Sequence, residues 1–125
     1  MEAAMKLARQ FYLEKDPPEP RRTRFISRFQ SFHGITLGAL SMGGHRSRRA
    51  HFEPLLLDNV SKVSPCYAYR GMGADESERE YVARLMYELE AEFLRLSPDT
   101  VCAFVAEPVV GAVSTTQHSP NHNIP

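Results

Sequence analysis

The chain has 125 residues, 42% of them hydrophobic and 24% charged, a globular composition with enough apolar mass for one modest core. Fifteen Lys and Arg balance fifteen Asp and Glu, which removes the net field that would draw it to nucleic acid or an anionic membrane. No stretch approaches the roughly 20 apolar residues of a membrane span, and the first residues lack the pattern of a secretory signal, so a cytoplasmic protein with neither kind of partner is expected.

In residues 2–15, "EAAMKLARQFYLEK", Met5, Leu7, Ala8, Phe11 and Tyr12 recur at helical spacing. Pro17-Pro18 ends the pattern by removing donors and barring helical geometry just upstream. No capping residue precedes Glu2, so the sequence starts within a helix and reads as a truncated beginning. "RTRFISRFQSF", 22–32, mixes aromatic and β-branched residues as a strand does, and Gly34 breaks it ahead of a glycine-spotted helix reaching Gly44. A second strand is expected at Val60 to Val63.

Asp75 and Glu78 form a D-x-x-E helix start. Behind it Tyr81, Val82, Leu85, Met86, Leu89, Phe93 and Leu96 hold the spacing of a long amphipathic helix, closed by Ser97-Pro98-Asp99. "TVCAFVA", 100–106, is a continuous apolar run of the kind found in a parallel strand covered on both faces. One domain over 1–112 is expected, followed by a polar, proline-bearing tail at 113–125 with no apolar period, expected to be disordered.

A helix leading into a buried strand is half of a βαβ unit, and open sheets of that kind bind ligands at the carboxyl ends of their strands. Two strands end suggestively here, one in Phe32-His33-Gly34 and the other in Glu107-Pro108. A carboxylate at the mouth of an apolar strand is costly unless a cation or hydrogen-bond donor meets it. Taken alone, these residues fit equally a core aromatic, a hydrogen-bonded loop histidine and a surface ion-pair partner. The glycines at 34, 38, 43 and 44 match neither G-x-G-x-x-G nor a P-loop, and tight turns are their commoner use. Arginine runs at 21–24 and 45–49 offer polyanion binding as a weak alternative. Cys66 and Cys102 lack CxxC spacing and read as a reduced pair, and no histidine stands at metal-ligand spacing, so no metal is expected.

Three motifs, "EAAMKLAR", "FHGITLGALS" and "CAFVAEPVVGA", in this order, resemble the central part of the large domain of class III (ornithine and GABA-type) aminotransferases, which use pyridoxal phosphate. The resemblance covers Glu2 to about Ala112. It implies an α/β fold, a partial large domain of a fold type I transferase with helices packed on an incomplete, mostly parallel sheet. It implies four cofactor-binding residues: Phe32 against one face of the pyridine ring, His33 and Gly34 shaping the same turn, and Glu107 beside cofactor and substrate. The parent implied is a homodimer that moves an amino group from a small-molecule donor to an oxo acid.

The departures restrict what carries over. Ile35 stands where several members have an arginine that receives a substrate carboxylate, and Ala112 where others have a second acid. The family's phosphate-binding loop precedes the helix that begins at Glu2; its ring-nitrogen aspartate and covalent lysine follow the point where resemblance ends. None of Lys6, Lys15 and Lys62 has the catalytic lysine's sequence context. The expectation is a fragment with no catalytic residue of its own and no turnover alone; a non-catalytic binding or dimerisation module is the alternative.

Overall fold

The computed structural model describes residues 1–111, and the tail expected at 113–125 lies outside the described residues. Helix α1 (Glu2–Glu14) leads to strand β1 (Arg24–Arg28), then to the short helices α2 (Leu37–Met42) and α3 (Arg46–Arg49) and strand β2 (Val60–Val63). The single turn α4 (Ala68–Gly71), the long helix α5 (Glu78–Leu96) and strand β3 (Val101–Val105) complete the order. The three strands described are parallel, in the order β2-β1-β3, so β1 is central, and among the described residues nothing pairs with the outer edges of β2 and β3.

Alternation along β1 builds two cores. Phe25 packs with Met5, Met42 and Cys102 on the face covered by α1 and α2, while its neighbour Ile26 packs with Val63, Leu96 and Val101 on the α5 face. The result is helix, sheet, helix, the layering that parallel strands require. Arg22 ties the layers together: it pairs with Glu19, donates to Pro98 O at 2.9 Å and Val101 O at 2.6 Å, and stacks on Tyr12 at 4.4 Å.

Several elements differ from their sequence expectations. β1 ends at Arg28 rather than Phe32, because Gln30 takes a positive φ of 54° that turns the chain out of the sheet. Helix α5 starts two residues later than the D-x-x-E signal: its capping box is Ser77 with Glu80. Its buried stripe is narrower than the spacing implied, since Tyr81 and Leu96 are buried but Val82 and Met86 are 48% and 61% exposed. β3, an edge strand, is buried at Val101 and Cys102 and only half-buried beyond them.

Candidate functional site

Segment 31–44 leaves the carboxyl end of β1 and closes on itself. Gln30 N donates to Gly44 O at 3.2 Å, Gly44 N donates to Ser31 O at 3.0 Å, and Ser31 Oγ donates to Arg28 O at 2.6 Å. The segment carries Phe32 and His33 at its start and α2 in its second half. Gly34 holds a φ of 129°, where an L side chain is strained, which reverses the chain between the two.

Both ends of α2 are met by charged side chains. At its start the Glu2 carboxylate accepts from Thr36 Oγ1 at 2.6 Å and Gly38 N at 2.8 Å, and these bonds, the Thr36 one foremost, hold Glu2 below its usual carboxylate range. At its end Arg49 Nη1 donates to the carbonyls of Leu40, Ser41 and Gly43, each at 2.9 Å, while Arg49 also pairs with Glu53. Lys62 of β2 reaches the same turn, donating to Ser41 O at 2.8 Å and Met42 O at 2.7 Å. The amide of Gly38 is therefore occupied by the chain's own carboxylate, and the glycines serve turns and close approach.

The two suggestive strand ends meet. Phe32 N donates to Glu107 Oε1 at 2.7 Å across 75 residues of sequence, which supplies the partner that a carboxylate after an apolar strand requires. The Phe32 ring is half-buried, with the exposed Arg48 guanidinium 4.7 Å from its centroid. His33 Nε2 is buried without a hydrogen-bond partner among the described residues. Burial, outweighing the attraction of Glu107, pushes the His33 pKa below its ordinary value, so the ring is neutral at pH 7.

A cavity of about 310 Å³ opens at the carboxyl ends of the strands, lined among others by Arg28, Ser31, Cys66, Tyr67 and Glu107. Of the four sequence-expected residues only Glu107 lines it; Phe32, His33 and Gly34 do not. Tyr81, which the helix spacing marked only as apolar, fixes one wall: its hydroxyl accepts from Tyr67 N at 2.9 Å and donates to Pro65 O at 3.2 Å.

A pyridine ring needs a flat apolar face and hydrogen-bonding groups at its edge. The half-buried Phe32 ring carries Arg48 over one face, and His33 Nε2, though unpartnered, is buried and lies outside the cavity. These residues provide nothing for the phosphate of pyridoxal phosphate, because the start of α2 is already neutralised by Glu2. Cys66 is an exposed and Cys102 a buried free thiol, and among the described residues no His, Cys, Asp and Glu group could hold a metal ion. No helix among them is long and apolar enough to cross a membrane.

Part of each arginine run is engaged within the chain: Arg21 pairs with Asp99 at the surface, Arg22 binds the carbonyls that open β3, and Arg49 binds those that close α2. Weak retention on heparin, changing little with salt, is the expected result. Strong retention that falls steeply with salt would establish polyanion binding instead.

The family model for aminotransferase class III matches residues 1–123. An aminotransferase of Gibberella zeae is 52% identical over 121 residues, covering 96% of this chain and 24% of that protein. An uncharacterized aminotransferase of Schizosaccharomyces pombe is 45% identical over 90% of this chain and 24% of its own length. Among solved structures, the omega transaminase of Pseudomonas jessenii in complex with PMP aligns with a TM-score of 0.79 at 34% identity, over 88% of this chain and 24% of that one. This chain thus spans about a quarter of the length of the relatives it matches. A match along nearly the whole sequence and a backbone that superposes on a solved transaminase lead to one conclusion: the chain belongs to the class III aminotransferase family.

Proposed function

We propose that this chain forms the ring-facing side of a pyridoxal phosphate site in an aminotransferase that moves an amino group from a small-molecule amino donor to an oxo acid. The observation that carries the proposal is the hydrogen bond from Phe32 N to Glu107 Oε1, which brings the two family motifs to one place at the carboxyl end of the sheet. When bound, the cofactor supplies the electron sink that amino transfer needs. Phe32 presents an aromatic face whose offset stacking contributes about 0.5–1.5 kcal/mol beyond area burial. His33, neutral at pH 7 with its unpartnered nitrogen buried, shapes with Gly34 the turn beside that ring. Glu107 is held by the Phe32 amide, which keeps the acid beside the residue that carries the stacking ring.

Related names favour an amine or ω-amino acid donor: a rice protein 37% identical over 74% of this chain is a probable gamma-aminobutyrate transaminase. A homodimeric parent and a cytoplasmic location belong to the same proposal, the latter supported by the two free thiols. The alternative, a non-catalytic binding module, is favoured by the exposed Met86, Tyr87 and Leu94 on α5.

Stacking of that size is far short of the roughly 4 kcal/mol that millimolar affinity requires. Titration of the chain with pyridoxal phosphate is therefore expected to give weak binding, with NMR shifts at Phe32, His33 and Glu107 that Phe32→Ala abolishes. No absorbance band that borohydride fixes on a lysine is expected, and no transaminase turnover. Shifts confined to other residues would overturn the ring-facing site; a reduced adduct on Lys6, Lys15 or Lys62 would overturn the absence of a catalytic lysine.

A further inference from the structure

Lysine in a strand ordinarily lies along a solvated face with its ammonium in water. Lys62 does otherwise. It stands opposite Ser27 in the β1–β2 register, on the face covered by α2, and its ammonium makes three short bonds: to Ser27 Oγ at 2.7 Å, Ser41 O at 2.8 Å and Met42 O at 2.7 Å. Ser27, Ser41 and Met42 are all fully buried, and Ser27 Oγ itself donates to Met42 O at 2.7 Å. The carbonyls at the end of a helix carry the negative end of its dipole and lack intrahelical donors. Lys62 adds a donor from β2 to the Ser41 and Met42 carbonyls, beside Arg49 on the first and Ser27 Oγ on the second.

We propose that Lys62 is a positioning residue: from β2 it pins the carbonyl end of α2 to Ser27 of β1 and so sets the closed segment 31–44, with Phe32 and His33, on the sheet. The segment is anchored elsewhere by the bonds of Gly44 to residues 30 and 31 and by Glu2 at the start of α2. Lys62 and Ser27 together join it to the sheet interior. This geometry stands on contacts within the chain; that the segment serves a cofactor rests on the function proposed above.

The anchor is also titratable. Burial foremost, and then the nearby positive charge of Arg49, lower the Lys62 pKa from 10.5 to about 7, against the opposing attraction of Glu53. The other charged or titratable group acting with it is His33, whose own charging Lys62 disfavours. Opening of the segment returns Lys62 to water, where it binds a proton more tightly, so opening takes up a proton. The closed state therefore gains relative stability as pH rises from about 7 toward 10.5, and opening is easiest in mild acid.

Amide hydrogen exchange on the 125-residue chain at pH 6 and pH 8.5, corrected for intrinsic rates, reads this directly without cofactor. With closed and open pKa values of about 7 and 10.5, opening of 37–44 is expected to be about thirtyfold less frequent at pH 8.5. Lys62→Met should abolish that pH step and speed exchange across 37–44 at pH 8.5 by about threefold, since the Ser41 and Met42 carbonyls each lose one of two donors and keep Arg49 and Ser27 Oγ respectively, while β1 and β3 stay protected. Lys62→Arg should restore part of the protection without the pH step. Unchanged protection and an unchanged pH step in Lys62→Met would overturn the proposal. Should that variant not fold, NMR of the wild-type Lys62 side chain decides: Nζ protons protected from exchange with water support the buried anchor, and Nζ protons that exchange as fast as those of the exposed Lys6 overturn it. Neither readout depends on pyridoxal phosphate, so failure here is distinguishable from failure of the cofactor reading.

Discussion

Gly44→Ala is expected to lower stability by about 3 kcal/mol, the upper part of the range for forced overpacking. A Cβ at this position would overlap the Arg28 carbonyl and lie 2.6 Å from Phe29 Cα and 2.8 Å from Gln30 N. All three are backbone atoms of the chain leaving the central strand, so no side-chain rotation relieves the clash. Relief requires separating the bridge between Gly44 and residues 30 and 31, which is also the closure of the segment that carries Phe32 and His33. Urea unfolding checks the prediction: the midpoint should fall with little change in slope, and hydrogen exchange should rise first across 31–44. A midpoint like that of wild type would mean that the close approach is not present in solution.

Ile26→Ala is expected to cost about 3–4 kcal/mol, whereas Ile26→Val should cost about 1 kcal/mol. Ile26 has no exposed surface and lies on the middle strand, packed against Val63 of β2, Val101 of β3 and Leu96 of α5. Shortening it leaves a cavity among elements held in place by parallel pairing, which restricts collapse around it. The two variants separate lost volume from lost contact with the sheet. If they cost the same in denaturant unfolding, the site relaxes freely and the tight α5 core described here is wrong.

Much of the framework was legible in residue order. The helical spacing from Met5 to Tyr12 locates α1, the β-branched ends of residues 60–63 locate β2 at its observed limits, and the unbroken apolar run after Pro98 locates β3. Those signals are local, because period and side-chain shape decide which backbone geometry can bury a given stripe. Boundaries were less legible. The Ser77–Glu80 box was overshadowed by the similar Asp75–Glu78 pair, and the end of β1 depended on a positive φ at Gln30 that its residue type does not announce.

The site divides in the same way. Phe32, His33, Gly34 and Glu107 stand out because they follow strands and sit within family motifs, and the structure joins Glu107 to the Phe32 amide. Lys62, Glu2 and Arg49 had no distinguishing signal, since a lysine in a strand, a glutamate opening a helix and an arginine in a basic run all read as solvated charges. Residue order by itself determined α1, α5, the three strands and the family. Tertiary structure alone decided that Glu2 and Arg49 meet the two ends of one short helix, and that Lys62 ties that helix to the central strand. The physical reason is that a charged group's role depends on what surrounds it after folding. Burying a helix end leaves carbonyls and amides that require partners, and the partners come from whichever strand or helix the topology brings beside them.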